Sequence, residues 1–250
     1  MTQDSNAPFT ARSVLASALL GESPPELPVS HLVHLAGLFG INENRARVAL
    51  SRMASAGEVT TDGSGWYRLA GHLLDRQGRQ ADSRRGETRT WAGGWRMVVV
   101  TTSGRSADER SARRQRLALA RLAEQREGVW LRPDNIDLRP DPGADHDVTL
   151  FSVVPDGDPL ALAASLWDLD GWAEVATGLR ERMAALPPTG PEDLAPGFVL
   201  SAAVLRQLQA DPLLPPDLLP PAWPGTVLRR EYDRWDREYR RVLRRWARTA

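Results

Sequence analysis

Residues 40–57 read GINENRARVALSRMASAG, one amphipathic helix set between two glycines. Gly40 stands where a left-handed residue would close a preceding helix. Asn42 is a good N-cap, because its side-chain oxygen can accept from a free backbone N–H of the first turn. Ala46, Ala49, Leu50 and Met53 recur at i, i+3, i+4 and i+7, which makes one buried stripe. Asn44, Val48, Ser51 and Ser55 lie opposite it, and Arg45, Arg47 and Arg52 flank that outer face. Taken alone, such a face belongs equally to a solvated helix and to a nucleic-acid reader.

The neighbouring sequence narrows the choice. Residues from about Thr10 to Leu20 form a helix with Val14, Leu15, Ala18 and Leu19 inward, ended by GESPPELP. VSHLVHLAGLF is a second helix, with Ser30 as its expected cap. After the third helix, EVTTDGSGWYRL places two β-prone runs around Asp62-Gly63-Ser64-Gly65, a hairpin signal. Three helices and a hairpin in this order make a winged helix-turn-helix, whose third helix enters the major groove. Asn44, Arg45, Arg47, Ser51 and Arg52 are then the candidate DNA-binding residues, and Arg68 of the wing is a candidate phosphate contact. Trp66 is expected to pack. A polar helix spans roughly Gly71 to Arg85, and RQGRQADSRRGETR reads as its solvated, linker-like end.

Composition bounds the remainder. The chain has 250 residues, 42% hydrophobic and 26% charged, with zero formal net charge; its size favours two or three domains in a soluble protein. No apolar run approaches the ~18 residues of a membrane span. The amino-terminal stretch MTQDSNAPFTARS lacks the order of a signal peptide, so a cytoplasmic location is expected. There is no cysteine, which excludes disulfides, thiolate catalysis and cysteine-ligated zinc. There is no lysine either, so a Walker loop and a Schiff-base lysine are impossible. All 32 basic residues are arginines, the better fork for phosphate and guanine edges. Acids dominate from Glu127 to Leu200; arginines dominate between Arg105 and Arg126 and after Arg229.

Beyond residue 88 two more units are expected in an α+β protein. In residues 89–166, WRMVVVTT, GVWLRP and DVTLFSVV are strands and ADERSARRQRLALARLAEQ is a helix, an order that suggests a ferredoxin-like sandwich with its last helix near Pro159 to Leu166. Residues 167–250 read as a helical domain, with GWAEVATGLRERMAAL, DLAPGFVLSAAVLRQLQA and a terminal helix from about Thr226 to Thr249. The proline-rich DPLLPPDLLPPAWPG must wrap a surface rather than form a helix.

The ordered motifs LLGE, GINENRARVALSRM, WAGGWRMVVV, GVWLRPDNI and DPLLPPDLLPPAWPG resemble those of the PaaX family of bacterial transcriptional repressors across nearly the whole chain. The resemblance implies a winged helix-turn-helix over residues 1–88, a ferredoxin-like domain similar to Cas2 and a C-terminal helical domain. It also implies a homodimer that represses aromatic-acid catabolic genes and leaves its operator DNA on binding an aryl-CoA thioester such as phenylacetyl-CoA. No cofactor is implied, and no residue-level ligand motif carries over.

Other constellations are weaker. In the terminal helix Trp235, Tyr239, Val242 and Trp246 form an apolar stripe. Asp233 and Asp236 precede Arg237 and Arg240 by four residues and should pair with them. Arg244, Arg245 and Arg248 have no such acid; they are candidates for coenzyme A phosphates, against the plainer reading of a solvated face. His31 and His34 read as helix-surface residues rather than metal ligands. The run Asp134, Asp137, Asp141, Asp145 and Asp147 lacks calcium-loop spacing. Two rival functions stay open. One is a metal-dependent nuclease of Cas2-like type, against which the first middle-domain strand ends VVVTTSGR with no carboxylate. The other is a winged helix that binds protein. The reading is a non-enzymatic regulator with an inverted-repeat operator, its effector acting across the RRGETRT segment on the angle of the reading head.

Overall fold

The structure is a computed structural model that describes residues 9–101 and 106–247. By compactness it divides into two units: residues 1–84, 178–209 and 227–250, and residues 85–177 and 210–226.

The first unit begins with α1 (Ala11–Leu20), whose cap Thr10 accepts from the Ser13 N–H at 3.1 Å. A short strand β1 (Glu26–Pro28) follows, then α2 (Val29–Gly37) and α3 (Glu43–Ser55). Ser30 does not cap α2. Pro28 holds the cap position with φ −69° and no side-chain bond, and the helix starts one residue beyond it. Asn42 caps α3 as expected, accepting from the Arg45 N–H at 2.9 Å, and Gly40 adopts the positive φ of +68° that its position demands. The hairpin is β2 (Val59–Thr61) and β3 (Trp66–Leu69). β1 completes a three-stranded antiparallel sheet of order β1-β3-β2, with Leu27 opposite Tyr67. The sequence hid this strand behind its prolines. Val14, Leu15, Leu19, Leu32, Ala46, Leu50 and Met53 form the core of this head.

Helix α4 (Gly71–Arg85) contradicts the expected solvated tail. Ser83 is buried, and Arg84 reaches Asp233 at 2.5 Å and Asp236 at 2.8 Å while lying over the Tyr232 ring. The tail docks because a buried carboxylate on the terminal helix needs a cation. That helix is α9 (Gly225–Ala247), which packs with α8 (Leu194–Ala210) and the second half of α7 (Leu169–Ala185). At Gly197 an added Cβ would stand 2.6 Å from the Tyr239 ring, so only glycine lets α8 approach α9 so closely. Asp236 pairs with Arg240 as the four-residue spacing predicts, whereas Asp233 is taken by Arg84 rather than Arg237.

The second unit carries β4 (Trp95–Val100), α5 (Ala107–Leu119), β5 (Ala123–Arg126), β6 (Val129–Pro133), β7 (Val148–Val153) and α6 (Pro159–Leu166). The sheet is antiparallel throughout, of order β5-β6-β4-β7. The helix expected to run on through residue 125 stops at Leu119. Arg121 turns left-handed (φ 61°), and residues 123–126 pair with β6 instead. Between β6 and β7 there is a 3-10 turn at Pro142–Ala144, and the helix follows β7, over the expected residues.

The proline-rich stretch does wrap a surface. Leu213, Leu214 and Leu218 are buried, and the fully buried Arg132 guanidinium donates to the carbonyl oxygens of Pro212 and Leu213 at 3.4 Å and to Asn135 Oδ1 at 2.8 Å. Asn135 itself donates to the Leu213 carbonyl at 2.8 Å. Burial lowers the Arg132 pKa to about 9, with the nearby Arg121 adding to the effect, which leaves it charged at neutral pH.

Candidate nucleic-acid interface

The outer face of α3 is open. Asn44, Arg45, Arg47, Ser51 and Arg52 are all exposed, and so is Val48, at 43%. At 100° per residue Asn44, Val48, Ser51 and Ser55 run along the centre of this face. Arg45 and Arg52 share one flank, and Arg47 lies on the other. The inward stripe is as expected, with Ala46, Leu50 and Met53 buried and Ala49 half-buried.

The arginines are not equivalent. Arg47 Nε bonds Glu43 Oε1 at 2.7 Å, one turn earlier on its own helix. Arg68 Nε bonds Glu26 Oε2 at 2.8 Å, across the sheet from β1. Among the described residues no acid pairs with Arg45 or Arg52. These two line a groove of about 610 Å³ together with Asn44, Val48 and the start of α1. Beside it Arg12 Nε donates to Glu58 Oε2 at 2.9 Å. That hydrogen bond is the main reason the Glu58 carboxyl sits below the usual carboxylate range, while burial opposes it. Arg12, in turn, is held above its ordinary value by Glu58.

The wing turns at Gly63 and Gly65, whose φ values of +81° and +90° need glycine. Trp66 does not pack inward as expected; it is 47% exposed. Alternation along β3 explains this, because Tyr67 packs against the head core while Trp66 and Arg68 face out.

The other candidates fare differently. Arg244 and Arg245 are exposed on the last turns of α9, and Arg248 lies outside the described residues. His34 is no simple surface residue: its ring stacks on Trp246 at 3.8 Å, joining α2 to α9. Asp134 and Asp137 bind Arg89, and Asp145 and Asp147 bind Arg113. Among the described residues no three His, Asp or Glu side chains gather as a metal site would require. Residues 102–105, the end of the VVVTTSGR stretch weighed against a Cas2-like nuclease, lie outside the described residues. No described helix is long and apolar enough to cross a membrane.

The head thus presents three helices, a three-stranded antiparallel sheet and an exposed outer face on the third helix, within an α+β protein. The family model described as PaaX-like protein matches residues 10–73, the head through the start of α4. A solved structure titled "Uncharacterized protein Rv0674 from Mycobacterium tuberculosis" is 42% identical, with a TM-score of 0.74, over 94% of this chain and 97% of that one. No curated protein matches the chain.

Proposed function

We propose that the protein is a DNA-binding transcriptional repressor that reads its operator with the outer face of α3. The match of residues 10–73 to the PaaX-like model supports the coarser reading, a transcription regulator. The observation that carries the finer one is the pair of exposed arginines, Arg45 and Arg52, seven residues apart on one flank and with no acid partner among the described residues. An arginine already paired must give up its partner before it binds phosphate or guanine, whereas an open one loses only water. Val48, between them on the face, suits a thymine methyl, and Asn44 suits adenine. Arg68 positions the wing on phosphate once released from Glu26.

The protein acts as a homodimer on an inverted repeat, because two-fold symmetry in the protein calls for two-fold symmetry in the DNA. It is not an enzyme. The sheet order β5-β6-β4-β7 supports the ferredoxin-like, Cas2-like reading of the middle unit, here serving assembly rather than cleavage. The family resemblance supports an aryl-CoA thioester as effector. The contacts of α2 and α4 with α9 supply a route from effector to head other than the RRGETRT segment, since Arg84 and Arg85 are themselves part of α4.

The test is fluorescence anisotropy with duplex from the gene's own upstream region. Wild type binds, and affinity falls steeply with salt as counterions are released. Arg45→Ala with Arg52→Ala weakens binding by about 10- to 100-fold, the loss of one or two base or phosphate contacts. Unchanged binding by the folded double variant overturns the assigned face. Phenylacetyl-CoA added to the complex releases DNA; retention at saturation removes that effector from the reading.

A further inference from the structure

Within the first unit, α1 and α4 of the head and α8 and α9 beside them line a solvent-open cavity of about 250 Å³. Its apolar wall includes Leu35, Phe198, Leu205 and Leu243. At its polar side stand Arg76 from α4 and Arg206 from α8. The two acids that also line it are already engaged. Asp236 holds Arg84 and Arg240, each at 2.8 Å, and Glu22 lies 3.9 Å from Arg240. Neither Arg76 nor Arg206 has an acid partner among the described residues. Arg76 is also crowded: desolvation first, then the like charges of Arg12, Arg79 and Arg206, pull its guanidinium below the usual arginine range. Arginines that repel one another beside an apolar hollow lack a counter-charge.

We propose that this cavity is a regulatory site for a small amphipathic anion, its carboxylate between Arg76 and Arg206 and its apolar body against Phe198 and Leu205. The volume equals roughly eight water molecules at about 30 Å³ each. That fits an aromatic or short aliphatic carboxylate and is a fraction of the bulk of a coenzyme A thioester. A ligand there ties α4 of the head to α8. It therefore favours whichever arrangement of head and C-terminal helices brings the two arginines together. This regulatory consequence rests on the repressor reading; the binding itself does not.

Calorimetry and thermal melting of the full chain without DNA test the site apart from the repressor reading. The probes are benzoate and hexanoate, with benzyl alcohol as the uncharged and inorganic phosphate as the purely ionic comparison. Benzoate or hexanoate binds and raises the melting temperature, and neither comparison does so to the same degree. Arg206→Gln and Arg76→Gln, both at exposed positions and checked for folding by circular dichroism, each weaken binding about tenfold, the loss of one charge-assisted contact. Arg241→Gln, outside the cavity, changes nothing. No binding of either carboxylate on the order of 10 mM, equal binding of benzyl alcohol or phosphate, or unaltered affinity in both cavity variants overturns the proposal. A protein that binds benzoate but no DNA keeps the site and loses the repressor reading.

Discussion

At the scale of single residues, charge and position do not decide which arginines are available; their partners do. Periodicity placed Arg45, Arg47 and Arg52 around one face but made them equal. They differ because Glu43 is one turn before Arg47, while no described acid reaches the other flank. That pair was readable from the i, i+4 spacing. The Arg68–Glu26 pair was not, since it depends on β1, a strand concealed in a proline-rich turn. Arg68→Ala should therefore cost DNA affinity less than Arg45→Ala or Arg52→Ala. Glu26→Ala should strengthen DNA binding by roughly two- to fivefold, as removing a nearby acid both frees Arg68 and lessens repulsion of phosphate. Anisotropy titrations at matched salt check the order. Arg68→Ala as damaging as the α3 variants would mean that the wing, not the helix, dominates the contact.

At the scale of elements, α3 was legible from end to end because its cap, its stripe and its closing glycine all act within a few residues. Asn42→Ala should remove about 1 kcal/mol from urea-unfolding stability by leaving the Arg45 N–H without its side-chain acceptor, whereas Asn42→Asp should be nearly neutral. Helix α4 was legible only in part. Its tail carries arginine, glutamine and aspartate and reads as solvated. What docks it is Asp236, 2% exposed and over 150 residues away in sequence. Arg84→Ala should destabilise by about 1–3 kcal/mol, more than Asn42→Ala, because it leaves part of a buried carboxylate unsatisfied. In Arg84→Ala with Asp236→Asn much of that loss should be recovered. If the two changes simply add, the pair contributes nothing as a pair.

At the scale of the whole molecule, chain order suggested three successive domains, and the types of most elements were readable, β1 and β5 excepted. Compactness groups the chain otherwise, returning residues 178–209 and 227–250 to the head and leaving 210–226 with the sheet. Such returns depend on contacts like Arg84–Asp236, His34–Trp246 and Arg132–Leu213, which no local pattern announces. The ion pairs of the first unit make its stability depend on acid. Hydrogen bonds from Arg12 hold Glu58 below the ordinary glutamate range, and those from Arg180, at 2.7 and 3.0 Å, do the same for Glu231; burial opposes both. A carboxylate whose folded pKa is depressed binds protons more weakly than in the unfolded chain. It stabilises fully above the unfolded value of about 4.3, and the gain is lost as pH falls through the lower folded value. Melting temperature should thus be flat from pH 7 to about 5 and fall below it. Glu58→Gln with Glu231→Gln should melt lower than wild type at pH 7, with the two curves converging toward pH 3. Curves that stay parallel throughout would assign the acid sensitivity to other carboxylates.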